Sequence, residues 1–405
     1  MLAHIFVWLF VFTVPWQNMI VLPGIGTISS VLGMAAISAT ILHVVIRGKV
    51  RSLVAFHWLT IFYMAWIFLS AFWGIARHGS IQREVNTYLQ ICVMLWVVWE
   101  ASPTPNRLVN LLQAYVLGSY VAAGSTIRNY LTGVGIQEDA QRYSATGFDP
   151  NDLGVILALA LPMAWYIAST TPSALQRWVN RIFMVAGVVG ILLTGSRGAL
   201  LAMITALAVV PLTLTQVRRG VRVAAFVVAI AASAVAVNFV PEKAFERLST
   251  TSSEIQGGDL NSRLRIWKGG LAAVPNAPFR GHGPGGWYPA VGLRIGNVAP
   301  HNTWLAILVE EGLIGLVLYM SMFAVVAKAL LRLPKLERRS GLVQLATLMI
   351  GITPLSWHQH KAGWLTLALL AAWAVVFAGA REREEPRGVV APIDRRGTRG
   401  APVPI

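Results

Sequence analysis

Apolar runs of about 17 to 25 residues recur from end to end of this chain, each long enough to cross a hydrocarbon core of about 30 Å as a helix rising about 1.5 Å per residue. Composition agrees: of 405 residues, 56% are hydrophobic and only 12% charged, about half the charge of an ordinary soluble domain. The expected fold class is an all-α integral membrane protein. Spans are expected near 5–22, 27–46, 53–76, 87–100, 108–131, 152–169, 181–195, 198–215, 221–240, 302–327, 341–357 and 362–380, about twelve transmembrane helices in all.

The formal charge of +16 would raise the question of nucleic acid in a soluble protein. Here the positive residues fall in short clusters between apolar runs, such as Arg47/Lys49/Arg51, Arg218/Arg219/Arg222 and Lys328/Arg332/Lys335/Arg338/Arg339. That is the pattern of cytoplasmic loops, so topology explains the charge and no nucleic-acid partner is expected. An N-terminus in the cytoplasm puts most of these clusters inside and leaves both termini there. The first run lacks a basic leader and a small-residue cleavage site, and it reads as a retained helix. Cys92 is the only cysteine, which leaves neither an internal disulfide nor a thiolate metal site. Tryptophans near span ends, among them Trp58, Trp99, Trp165, Trp178, Trp304 and Trp364, fit an interfacial belt, although fifteen Trp residues cannot all be anchors.

Four segments follow. Residues 1–240 carry spans one to nine; 241–301 form a large external loop between spans nine and ten, with an amphipathic helix at NSRLRIWKGGLAAV; 302–380 carry spans ten to twelve; and 381–405 read as a disordered cytoplasmic tail. No internal repeat or matched pair of broken spans favours a secondary transporter.

The candidate residues are those that break the membrane pattern on the outer side. Arg197 stands in an outward turn between two apolar runs, where it either snorkels to lipid phosphates or binds an anion in a cavity. Arg263 and Arg265 lie in the outer loop, on a stretch where Leu264, Trp267 and Leu271 can form one apolar stripe. A solvated amphipathic helix is the plain reading; pairing one of them with Arg197 around a pyrophosphate is the sharper one, since guanidinium forks bind phosphate oxygens bidentately. His301 sits where the loop re-enters the membrane and has an ordinary pKa of about 6.5, suited to taking a proton from a hydroxyl. A helix-start residue is the plain alternative. Glu310 and Glu311 are costly in an apolar run and are read as orienting the helix or the histidine. Arg142 and Tyr143 are further outward candidates, while Asp149, Asn151 and Asp152 read first as helix caps. There is no Asp-x-Asp pair, no His-Glu-x-x-His and no phosphate-binding Gly-x-x-x-x-Gly-Lys-Ser/Thr, so metal-bound nucleotide sugars and ATP are poor substrate guesses.

The pieces GFDPNDLG, TGSRGALLA, RLRIWKGGL followed by GHGPGG, and above all HNTWLAILVEEGLIG resemble the O-antigen ligase and O-antigen polymerase superfamily. The last fits the ligase pattern of His, then Asn/Ser/Gln, nine residues, and Gly-x-x-Gly, as His301, Asn302, Gly312 and Gly315. The resemblance implies a metal-independent inverting glycosyltransferase with no cofactor, working at the periplasmic face of the bacterial inner membrane. It implies a polysaccharide moved from undecaprenyl pyrophosphate to a sugar of the lipid A core, so the partners are undecaprenyl-pyrophosphate-linked O-antigen, lipid A-core oligosaccharide and membrane lipids. Carried over by residue, His301 matches the catalytic histidine, and Arg197 and Arg263 match the catalytic arginines. Arg265, Arg142 and Asn302 are expected to bind substrate. A polymerase of the same superfamily is the second reading and a lipid-linked oligosaccharide transferase acting on protein the third; a lipid-linked sugar transporter or flippase, which leaves His301 without a task, is the competing class.

Overall fold

The structure, a computed structural model, describes residues 2–24, 26–134, 142–224, 226–227, 262–296 and 298–384. It is helical apart from two short strands, Val21–Leu22 and Gly26–Thr27, paired antiparallel. The helices are α1 (Leu2–Thr13), α2 (Ile28–Arg47), α3 (Ala55–Ser70), α4 (His78–Ala101), α5 (Pro105–Thr132), α6 (Pro150–Thr170), α7 (Ala174–Leu193), α8 (Arg197–Leu207) and α9 (Val209–Thr213). After the long loop come α10 (Arg263–Ala273), α11 (Trp287–Ile295), α12 (Thr303–Glu310), α13 (Gly312–Leu330), α14 (Lys335–Ile352) and α15 (Lys361–Glu384).

Among the described residues, eight helical stretches are long and apolar enough to cross a membrane, where the hydropathy pattern predicts twelve spans: 2–19, 28–47, 55–73, 150–170, 174–193, 197–216, 312–330 and 361–379. The expected ninth span, 221–240, lies largely outside the described residues, as do the first third of the expected outer loop, 241–261, and nearly all of the tail. The helices α4, α5 and α14 stand where the fourth, fifth and eleventh spans are expected, but each carries several polar residues. The helix α15 continues past the expected end of the twelfth span to Glu384.

Local chemistry sets the boundaries. Pro105 opens α5 with the Thr104 hydroxyl accepting from the Arg107 amide, and the helix ends on Gly133 at φ 68°. In α6, Pro150 follows Asp149, whose carboxylate accepts from the Asn151 amide. That helix is the axis of the bundle, with 89% of its apolar window buried, packed on α5, α7, α8 and α14. Gly154 permits the closest of these approaches, since a Cβ there would come within 2.4 Å of Ala199 on α8. By contrast only 17% of α2 is buried. Half of the tryptophan belt turns out to be core: Trp99, Trp165 and Trp364 are buried inside the bundle, while Trp58 and Trp178 are exposed.

Span ten, expected as one helix over 302–327, is two. The break falls at Glu311, where Gly312 takes φ 68°, a left-handed conformation that glycine adopts without strain. The Gly-rich stretch 281–286 docks there: Gly283 donates its amide to the Glu310 carbonyl at 2.8 Å and His282 donates to that of Val309 at 3.0 Å. Before it, α10 and α11 form a small core of their own with α12, made of Ile266, Ala273, Trp287, Val291, Leu305 and Val309. The buried face of α10 is therefore Ile266, Gly269, Gly270 and Ala273. Leu264 and Leu271 of the expected apolar stripe face outward. Glycines won over leucines because the Trp287 ring needs the room: a Cβ on Gly270 would lie 2.7 Å from it.

Candidate functional site

The amino end of α8 is built by its turn. Gly195 at φ 56° lets the chain reverse after α7, and the Ser196 hydroxyl caps α8 by accepting from the Ala199 amide. Arg197 is thus the first residue of a helix, where the macrodipole disfavours a cation and favours an anion. Arg263 stands at the first position of α10, after Ser262 in a left-handed conformation at φ 62°. It shares a face with Ile266 and Gly270, three and seven residues on. A narrow cleft with about 10 Å³ of free volume, room for about one water, is lined by Arg263, Ser196, Gly198, Asn151, Val155, Pro354 and Leu355. Arg197 lies between two of these lining residues.

His301 joins the same region. Its φ is 45°; it and Ser262 are the only non-glycine residues with positive φ among the described residues. Such strain persists only where the surroundings impose it. They do so through the segment between α14 and α15. The His301 amide donates to the Ser356 hydroxyl at 3.1 Å, and the Thr303 hydroxyl lies 2.8 Å from the carbonyls of both Ile352 and Leu355. Trp357 donates its amide to that hydroxyl at 2.9 Å and its indole N–H to the Asp152 carboxylate at 2.7 Å. Trp304 donates to the Thr353 hydroxyl at 2.9 Å. Burial holds the half-buried His301 imidazole below its ordinary value; the positive charge of Arg263 adds to this, and Asp149 acts the other way. His301 is therefore a neutral imidazole at neutral pH, able to accept a proton, with Arg263 close enough to be felt.

The other expected residues fall in different places. Arg142 is buried, its Nε donating to the Thr194 carbonyl at 2.8 Å and its Nη2 to the Asn151 side chain at 2.9 Å. Asn151 also accepts from the Ser196 hydroxyl at 2.9 Å. Arg142 thus braces the turn that presents Arg197. The Asn302 side chain caps α12, accepting from the Leu305 amide at 3.0 Å. Arg265 is exposed, away from the face that carries Arg263. Of the three residues expected as caps, Asp149 alone caps; Asn151 and Asp152 tie α6 to the α8 turn and to Trp357.

Glu310 and Glu311 serve the helix break. Glu310 accepts from the Trp287 amide at 3.1 Å and lies 3.5 Å from His358, and Glu311 accepts from the Ser70 hydroxyl at 2.9 Å. Burial pushes the His358 imidazole down to about 4, so it meets Glu310 as a neutral ring. The neighbouring Gln359 bonds to Glu84 of α4. The segment SWHQHK, residues 356–361, is the part of this site that the motifs leave unmarked. Its signal is a polar, histidine-bearing stretch between two apolar runs on the His301 side.

No curated protein matches the chain. Residues 182–320 match the model of a family described as O-antigen ligase. That stretch holds Arg197, Arg263 and His301 but ends before Ser356 and begins after Arg142. With the matched segment running through these three residues, this third of the chain is similar to the O-antigen ligase family.

Proposed function

We propose that this bacterial membrane protein is an O-antigen ligase, a metal-independent inverting glycosyltransferase of lipopolysaccharide biosynthesis. It would move a polysaccharide from undecaprenyl pyrophosphate to the lipid A core on the periplasmic face of the inner membrane. The observation that supports the reading is a cleft lined by Arg263 and by Ser196 and Gly198, the neighbours of Arg197, with Arg263 near enough to His301 to help lower its pKa.

The chemistry balances with these groups. The acceptor hydroxyl attacks the anomeric carbon, the carbon–oxygen bond to pyrophosphate breaks with its electron pair on the phosphate oxygen, and the hydroxyl proton passes to His301. A single displacement inverts the anomeric centre. Negative charge grows on the pyrophosphate as the bond breaks, so preplaced guanidinium groups and a helix amino end stabilise the transition state more than the ground state. Two cations set on first helical positions supply that charge in fixed places. Arg142 then acts through the α8 turn, and Asn302 by starting α12 directly after His301.

The test is transfer by purified protein from undecaprenyl-pyrophosphate glycan to lipid A core, with EDTA present and no vesicle. Conjugated lipid A core is the expected product. Longer lipid-linked glycan without conjugate would make the protein a polymerase, and the absence of any transfer in a preparation that still binds donor would overturn the reading.

A further inference from the structure

A second small cavity lies inside the bundle, where α6 meets α5, α14 and α15. It has about 10 Å³ of free volume and is lined by Pro162, Ser340, Gln344 and Trp373 among apolar side chains. Pro162 stands about 16 Å along α6 from Asn151 of the arginine cleft, so the two spaces are distinct.

The proline is the local cause. Inside α6, Pro162 has no amide to give, which leaves the Ala158 carbonyl without its helical donor and disturbs that turn. In a membrane-crossing helix such a break is repaired by neighbouring helices, by polar side chains or by ordered water. The helix α14 supplies part of the repair: the Gln344 Nε2 donates to the Leu159 carbonyl at 2.9 Å. That bond fixes the orientation of the amide, since only its nitrogen side can donate, and leaves Oε1 as an acceptor.

Gln344 Oε1, Ser340 Oγ and Trp373 Nε1 are out of reach of solvent and have no hydrogen-bond partner among the described residues. The three residues are only 5%, 2% and 4% exposed. Ser340 and Gln344 are four apart on α14 and share a face. The Trp373 indole is held against the Tyr166 ring, with centroids 4.4 Å apart, so it has little freedom to seek a partner elsewhere. Three unpaired polar groups in a bundle core are costly, and all three border one cavity of the volume that a single water needs. The indole N–H can only donate, the amide oxygen can only accept, and the hydroxyl can do either. Water alone among small neutral molecules of this size offers both a lone pair and a proton to such a set.

We propose that this cavity is the site of one buried water that joins α14 to α15 beside Pro162. It accepts from the Trp373 indole and the Ser340 hydroxyl and donates to the Gln344 amide oxygen. The site lies outside the segment that carries Arg197, Arg263 and His301, and it does not depend on the ligase reading.

The experiment is a high-resolution density map of the purified full chain, read at this cavity. The expected result is one peak within hydrogen-bonding distance of Trp373 Nε1, Ser340 Oγ and Gln344 Oε1. A second arm reads melting temperature. Trp373→Phe removes the indole N–H and keeps a ring, Ser340→Ala removes the hydroxyl, and each should lower it. Because the two groups meet only through the water, the double variant should lose clearly less than the sum of the single losses. A map that shows other buried waters but no peak here, side chains that close on one another with direct bonds, or single losses that simply add would overturn the proposal.

Discussion

Two cavities along α6 have the same free volume, about 10 Å³, and differ in what lines them. At the arginine cleft, Arg197 and Arg263 each open a helix, the cleft beside Arg263 holds about one water, and the hydrogen bonds that Arg142 and Ser196 donate to Asn151 fix its wall. At Pro162 the polar groups of the lining are neutral and lie inside the bundle. A cation placed against the macrodipole marks a place for an anion in the first, whereas a hydroxyl, an amide oxygen and an indole N–H in the second suit a dipole. The surroundings then decide the use: a polar cleft at a helix start suits charge that develops during a reaction, and a closed neutral cavity suits a water held for structure.

The largest break in that comparison should come from His301→Ala. Loss of a proton acceptor is worth about 10² to 10⁴ in rate, so transfer should fall by that order while donor binding persists. The Pro162 cavity should be unchanged. Transfer near the parent rate, measured by conjugate formation, would remove His301 from the chemistry.

Next in size is Arg263→Gln, expected to lower turnover about 10² to 10³-fold, the loss typical of one charge-stabilising donor. It carries a second signature in pH. His301 must be neutral to accept a proton, so activity falls as pH drops through its lowered pKa. Arg263 is one of the two causes that lower it. Removing that charge raises the pKa and moves the acid limb of the rate profile toward higher pH. An acid limb that stays in place would show that Arg263 and His301 do not share a site.

Ser356→Ala should act more mildly. It removes one hydrogen bond to the His301 backbone, a net contribution of about 1 kcal/mol or about fivefold. The fall should lie in kcat rather than in the donor KM, with the acid limb displaced and the melting temperature kept. A loss confined to thermal stability would make the 353–360 segment a structural support and nothing more.

The ease of reading these parts from sequence differs for physical reasons. Hydropathy marks helices that are apolar all round, so α2, α6 and α13 are legible, whereas α4 and α5 carry polar residues on faces that only packing explains. The break at Glu311 is written in Glu-Glu-Gly, but its cause is the docking of residues 281–286, far away in sequence. The arginine and histidine positions are legible because they violate the membrane pattern. Ser356 and Asp152 are not, since a serine beside a span and an aspartate at a helix start look ordinary until Trp357 and His301 are found against them. Leu264 and Leu271 mislead because large apolar side chains usually define the buried face, and here two glycines define it under Trp287.

The smallest effect is expected from Arg265→Gln, and it tests that last point most directly. Arg263 and Arg265 are two residues apart, but the packing of Ile266 and Gly270 on Trp287 turns the first toward the cleft and leaves the second in the open. An exposed side chain remote from packing changes free energy by about 0.5 kcal/mol or less, so turnover should stay within about twofold of the parent. A loss as deep as that of Arg263→Gln would mean that α10 rolls on binding donor, bringing its outer face to the pyrophosphate, and the glycine face would then be a sliding surface rather than a fixed seat.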